Sequence, residues 1–347
     1  MENVIKMKIT GRRRAIRSST ELVRIEPLFH ARKPPMSVQC MEPLELSTWS
    51  RENLPLIENL LQRSGAILFR GFLPEGQSQM EKFNQAINLE LMNYMEGATP
   101  RKALGNNVYT STEFPPDQKI ALHNENSYVI SWPMKLNFCC VVAPEERGET
   151  PIADVRAVLA RIRPEIRKRF EEKGYMLVRN FSEHLGLPWR TSFKVATREE
   201  FEDYCRRACV TATWKDEDHV RTQQVRPAIA RHPRTHEEVW FNHAAFWHVS
   251  SLRPQVRELL VRDYSEEGLP FNTYFGDGSR IEDEVVEELR QAYDAETVYF
   301  PWKNGDLLLV DNMLVAHGRS PYRGARKIIV SMGEPYTRTD IGPELRS

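Results

Sequence analysis

The chain has 347 residues, with 48 Lys plus Arg against 48 Asp plus Glu, giving a formal net charge of zero and a pI near 7.1. Without an overall positive field there is nothing to hold a polyanion, which argues against nucleic acid as the main partner. No apolar run approaches the roughly 20 residues of a membrane helix, and 41% hydrophobic with 28% charged residues fits a globular chain able to bury a sizeable core.

The first twenty residues carry Lys6, Lys8, Arg12, Arg13, Arg14 and Arg17 against one acid, Glu2. We read 1–20 as a basic N-terminal arm, with an organelle-targeting leader as the alternative. Pro34-Pro35 is the one visible linker, so residues 21–347 are expected to form a single domain. Apolar spacing then predicts, in chain order, a helix over Leu54–Gln62, a strand over Ala66–Phe72, a helix over Gln79–Tyr94 and a strand over Leu136–Ala143. A helix over Val155–Lys173, a strand over Met176–Phe181, a helix over Glu199–Val210 and a strand over Glu238–Phe241 follow. Helices over Arg253–Tyr264 and Ile281–Tyr293 and strands over Leu307–Val310 and Lys327–Met332 complete the pattern. These elements do not alternate in regular βα units, and no GxGxxG or P-loop pattern is present, so a Rossmann or P-loop nucleotide site has no support.

The five cysteines, Cys40, Cys139, Cys140, Cys205 and Cys209, show no CxxC spacing, and no export signal opens the chain. A reducing, cytoplasmic setting is expected, with Cys139 and Cys140 as small buried hydrophobes.

Nine histidines supply most of the candidate ligands. In Leu122-His123-Asn124-Glu125, an extended strand would project His123 and Glu125 from the same side. The best third ligand is His317, which follows the apolar run Leu308-Leu309-Val310 and precedes Gly318. Two histidines and one carboxylate on one triangular face leave open positions on an octahedral Fe(II), enough for a chelating 2-oxo acid and dioxygen. An HxE tripeptide also arises by chance, and a histidine beside a strand is often a hydrogen-bonded core or surface residue. A 2-oxo acid with a distal carboxylate also needs a fixed cation. Arg326, at the start of Lys327-Ile328-Ile329-Val330, offers a planar fork for both oxygens, unless it is a surface residue capping the strand. Thr150 in Gly148-Glu149-Thr150-Pro151 is the candidate hydroxyl donor; a threonine before proline is otherwise a turn residue.

In combination these segments resemble the TauD/TfdA-type Fe(II)/2-oxoglutarate-dependent oxygenases, within them the SyrP-like amino-acid-modifying branch, over roughly residues 20–335. Gly65 to Phe72 looks like the early strand, Leu122 to Glu125 the first metal strand, Gly148 to Pro151 the cosubstrate threonine motif, and Asp311 to Arg326 the distal histidine and arginine segment. The resemblance implies an α+β fold: a double-stranded β-helix (jelly-roll) core, surrounding helices, and a long insertion, about 155–300, between the metal-bearing strands. It implies iron at His123, Glu125 and His317, and 2-oxoglutarate, used together with O2, at Arg326 and Thr150. Decarboxylation to succinate would accompany hydroxylation, desaturation or oxidative cyclisation of an amino acid, free or held on a peptidyl carrier protein, in natural-product biosynthesis. Two departures stand out: Glu125 where many members have Asp, and Arg147 where a second glycine is usual. Related halogenases replace the carboxylate by a small residue, so Glu125 argues against halogenation.

Candidate substrate contacts are Asn106, Tyr109 and Thr110 before the first metal strand, and Trp240, Phe241, Asn242 and His248 in the cluster from Val239 to His248. Each could equally be a core aromatic or a turn amide. His243 and His248 have no carboxylate at ligand spacing, which argues against a second metal site. A jelly-roll that binds metal or a small ligand without turnover is the alternative function.

Overall fold

The computed structural model describes residues 22–29, 33–74, 76, 78–92, 103–105, 108–110, 114–182 and 187–338. The basic arm at 1–20 and the substrate candidate Asn106 lie outside the described residues. The N-terminal part runs β1 (Val23–Pro27), β2 (Met36–Cys40), α1 (Leu46–Glu52), α2 (Leu54–Ser64), β3 (Ala66–Arg70), α3 (Ser78–Ala86), β4 (Ala103–Gly105) and β5 (Val108–Thr110). Next come β6 (Ile120–His123), β7 (Ser131–Val142), β8 (Glu146–Arg147) and β9 (Ile152–Asp154). The middle holds α4 (Val155–Arg161), α5 (Pro164–Lys173), β10 (Tyr175–Phe181), α6 (Trp189–Phe193), α7 (Arg198–Arg207), β11 (Thr211–Trp214), β12 (Val220–Arg226), β13 (Ile229–Arg231) and β14 (Glu238–Trp240). A 3-10 turn (Val249–Ser251), α8 (Pro254–Tyr264), β15 (Phe271–Phe275) and α9 (Asp283–Glu296) complete it, and β16 (Leu307–Asp311), β17 (Val315–Arg319), β18 (Tyr322–Arg323) and β19 (Lys327–Thr337) close the chain.

Two sheets make the core. The larger has eight strands in the order β1-β2-β3-β16-β7-β19-β5-β4, and the smaller has three, β6-β17-β9. Alternation along each strand divides the large sheet between two interiors. Leu307 and Leu309 of β16, Cys139 of β7 and Ile329 of β19 pack with Trp49, Leu61 and Phe83 of the helices on one side. Leu308, Val310, Phe138 and Val330 face the other way, into an interior shared with Ile152, Val315 and Ala316 of the small sheet. Coverage of both faces explains why β16 reads as an unbroken apolar run rather than an alternating one. Cys139 and Cys140 therefore fall on opposite faces, both fully buried, and burial pushes each thiol up to about 12.

Between β9 and β16 lie a four-stranded antiparallel sheet, β11-β12-β10-β15, and the helices α4 to α9. The interior under the two core sheets continues into this segment through Tyr175, Leu177, Trp240, Phe241 and Leu289. Two predicted helices are revised. The single helix expected over Val155–Lys173 is two, because Pro164 cannot donate into a continuing helix and instead opens α5. The helix expected over Gln79–Tyr94 stops early at α3, where Asn88 takes a left-handed conformation (φ 51°).

Candidate active site

β6 and β17 run antiparallel with His123 directly opposite His317. Cross-strand partners share a face, so the ladder itself brings the two imidazoles together, with ring centroids 4.5 Å apart. Gly318 makes this pairing possible: a Cβ there would lie 2.7 Å from the carbonyl oxygen of Ile120 on the neighbouring strand. The Nδ1 of His123 donates to the carbonyl of Ala121 at 2.9 Å, which fixes the neutral tautomer with the proton on Nδ1.

Glu125 joins them by a different route from the one expected. β6 ends at His123, and Glu125 sits in the turn that follows, so no shared strand face aligns the two. Its backbone is bonded instead to the side chain of Asn312, whose Oδ1 accepts from Glu125 N–H and whose Nδ2 donates to Glu125 C=O, each at 2.8 Å. Further along the same turn, the Tyr128 carbonyl accepts from Gln224 and from the fully buried Arg226, both on β12. The outcome is a buried carboxylate 3.9 Å from Nε2 of His317. One donor atom each from His123, Glu125 and His317 lie within 4.8 Å of one another, the only such group among the described residues. Two neutral nitrogens and a hard carboxylate oxygen are the donor set that suits Fe(II). His243 and His248 form no second centre. His243 shares a short bond with Ser127 (2.6 Å) and is held neutral by burial, while His248 caps the 3-10 turn.

A pocket opens beside the imidazoles, lined by Phe138, Thr150, Arg319, Arg326 and Val330 among others. Arg326 reaches it from the start of β19, with Nε bonded to the Gly148 carbonyl at 2.9 Å. Burial, and then the neighbouring Arg319 cation, pull its guanidinium down to about 10. Two cations facing one cavity are a receptor for an anion. Arg319 is itself fastened to the carbonyls of Phe114, Pro115 and Gln118. Thr150 is buried, and its Oγ1 accepts from the Trp302 indole at 3.2 Å. Because indole can only donate, the hydroxyl proton of Thr150 stays available to a bound carboxylate. The turn before it explains the family's usual glycines: Arg147 and Gly148 both take left-handed conformations (φ 58° and 68°), and a Cβ at Gly148 would stand 2.7 Å from Pro144. Arg147 adopts that backbone without being glycine.

The expected substrate residues divide. Tyr109 lies opposite Val330, which lines the pocket, and so stands on the pocket face; Thr110 lies opposite Ile329, which packs on the helical side, and so faces away. Trp240 is fully buried against Phe170, and Phe241 against Trp132. Asn242 has both ends of its amide engaged, with Ala228 and Ala244. His248 bonds Ser250. These are core, turn and cap positions, as aromatic and amide residues beside turns commonly are. Phe246 holds the position expected of them: it is partly exposed, with its ring 4.9 Å from that of His123. Phe246 falls inside the Val239–His248 cluster but is not among the contacts expected from the sequence. Asn312, Trp302 and Arg319 were also missed, since each acts through a hydrogen bond to a distant segment that leaves no local pattern.

Over residues 25–332 the chain matches the family described as taurine catabolism dioxygenase TauD, TfdA family. It is 38% identical over 279 residues to the dapdiamide synthesis protein DdaC of Enterobacter agglomerans, covering 80% of this chain and 85% of that protein. It is 31% identical over 288 residues to a clavaminate synthase-like protein of Arabidopsis thaliana, covering 80% and 83%. In fold it is similar to PvcB of Pseudomonas aeruginosa, with a TM-score of 0.53 at 16% identity over 92% of this chain and 93% of that one. A second PvcB structure, described as an Fe, alpha-ketoglutarate dependent oxygenase from an isonitrile synthetic pathway, gives 0.51 at 16% identity over 90% and 91%. The likeness bears out the jelly-roll core, and the DdaC relative supports the amino-acid-modifying branch. Among the described residues no helix is long and apolar enough to cross a membrane. Joined to the His-Glu-His cluster, these matches show that the chain belongs to the TauD/TfdA family and is an Fe(II)/2-oxoglutarate-dependent dioxygenase.

Proposed function

We propose that the protein oxidises an unactivated C–H bond of an amino acid or aminoacyl substrate in natural-product biosynthesis, with His123, Glu125 and His317 as the iron ligands. The observation that carries this reading is the convergence of those three donor atoms beside a pocket with two arginines and a buried threonine hydroxyl. When bound, iron and 2-oxoglutarate supply dioxygen activation coupled to decarboxylation of the oxo acid to succinate. Arg326 pairs with the distal carboxylate of 2-oxoglutarate, and Thr150 donates its hydroxyl proton to the same group. Phe246 and Tyr109 present the target carbon and keep water from the open side. The amino-acid class is supported by the dapdiamide-synthesis relative, and a carrier-bound thioester fits the same class.

In this reading residues 21–347 act as one oxygenase domain, and the segment about 155–300 is the insertion that walls the substrate pocket. Its Arg226 and Gln224 steady the Glu125 turn, and Phe246 closes over His123. The test is to incubate the Fe(II)-loaded protein with 2-oxoglutarate and pooled amino acids or their carrier thioesters. Succinate should form together with a substrate mass change of about +16 or −2, corresponding to gain of oxygen or loss of two hydrogens. Succinate formation that no amino acid or aminoacyl thioester stimulates would overturn the substrate class.

A further inference from the structure

Glu125 is the one member of the cluster that no β-ladder holds, since β6 ends two residues before it. Both hydrogen-bonding groups of its peptide backbone go to a single side chain, the amide of Asn312, which accepts from the N–H and donates to the C=O. A primary amide presents a donor and an acceptor side by side, as a neighbouring strand would, so Asn312 serves as a one-residue strand partner. Asn312 is itself anchored. Its N–H donates to Met134 C=O at 2.8 Å, its C=O accepts from the Asn124 side chain at 2.7 Å, and its second amide hydrogen reaches Pro133 C=O at 2.9 Å. The residue is fully buried. Its neighbour Asp311 closes the turn into β17 by accepting from the N–H groups of Met313 and Leu314, and is in turn met by His232 at 3.1 Å. The short bend that carries the chain from β16 in one sheet to β17 in the other therefore leads into the strand of His317 and sets Glu125 through the side chain of Asn312.

We infer that Asn312 is a positioning residue for the metal centre, acting through the backbone of Glu125 to hold that carboxylate at the spacing one ion requires. The inference rests on the reading of Glu125 as a ligand. Ionised aspartate could not donate to the Glu125 carbonyl, and glutamine would overshoot by a methylene, so the role is specific to asparagine.

The test uses the full chain, titrated with Co(II) alone under anaerobic conditions and followed by the visible d–d absorption of the bound ion, with circular dichroism reporting folding. Loss of an outer-shell partner characteristically costs about 10–100-fold in metal affinity, and Asn312→Ala should fall in that range. In a Glu125→Ala background the same change should alter Co(II) affinity by no more than about twofold, because the carboxylate that Asn312 positions has gone even though the backbone it grips remains. If Asn312→Ala does not fold, Asn312→Ser, too short to reach Glu125, enters the same cycle with the same expectation. Equal losses with and without Glu125, or undiminished Co(II) affinity in a folded Asn312 variant, would overturn the inference while leaving Glu125 a ligand. Undiminished affinity in Glu125→Ala alone would overturn the ligand reading, and the inference with it.

Discussion

The paired core sheets and the segment between β9 and β16 hold their key residues by opposite means. In the core a backbone ladder places both histidines, since His123 and His317 meet because β6 and β17 pair in that register, and of the three candidate ligands Glu125 alone depends on a side chain, that of Asn312. In the intervening segment, long polar side chains do it. Buried Arg226 gathers the carbonyls of Ala208, Cys209 and Tyr128, and Gln224 joins it at Tyr128. The three candidate ligands thus sit on or beside the paired core sheets, while the segment between β9 and β16 contributes buried polar side chains that brace the turn after β6.

Mutations should separate the two regions. The largest effect is expected at the ladder: His123→Ala or His317→Ala should reduce succinate formation to background while circular dichroism stays unchanged. A variant retaining a tenth of the wild-type rate would remove that histidine from the ligand set. Next, Arg326→Ala removes a buried charge-assisted pair worth up to about 3 kcal/mol, so the 2-oxoglutarate dissociation constant should rise roughly a hundredfold. Calorimetric titration showing unchanged affinity would refute the assignment.

In the intervening segment the losses should fall on stability instead. Arg226→Met removes the side-chain donor from the Ala208 and Cys209 carbonyls, at about 1–3 kcal/mol for each one left unsatisfied, and should lower the unfolding midpoint well before it alters 2-oxoglutarate affinity. His248 sharpens the contrast by its titration. Burial lowers its pKa from 6.5 to about 4, so between those values the unfolded chain binds the extra proton. The neutral imidazole is tolerated in full above pH 6.5, and stability should decline as pH falls through that window, by about 3 kcal/mol at the lower end. Denaturant titrations at pH 5 and 7 on wild type and His248→Asn would show it; an identical pH response in both would exclude His248 as a source. The smallest effect belongs to Phe246→Ala, which should raise the KM for the oxidised substrate about tenfold, consistent with 1–3 kcal/mol for a change in an apolar wall, with 2-oxoglutarate affinity held.

Legibility in the sequence follows the same division. Strands covered on both faces, such as β16 and the centre of β7, announced themselves as apolar runs, and the three ligand candidates and Arg326 lay beside them. β12, VRTQQVR, alternates buried and intermediate positions, yet its buried members include Thr222, Gln224 and Arg226, so hydrophobicity could not reveal it. The aromatic cluster from Val239 to His248 was visible as unusual, but which ring faces the metal depends on turn geometry at Asn242 that no periodicity encodes. The convergence of Glu125 was anticipated for the wrong local reason: a shared strand face was expected, and a long-range amide does the work.

The backbone tether at Glu125 also bears on how such a centre can change its identity. The Asn312 contacts grip atoms common to every amino acid, so a glycine or alanine introduced at 125 would inherit the same turn. The scaffold would then present the two imidazoles without the carboxylate. A change of donor set at this position would leave the architecture that surrounds it in place.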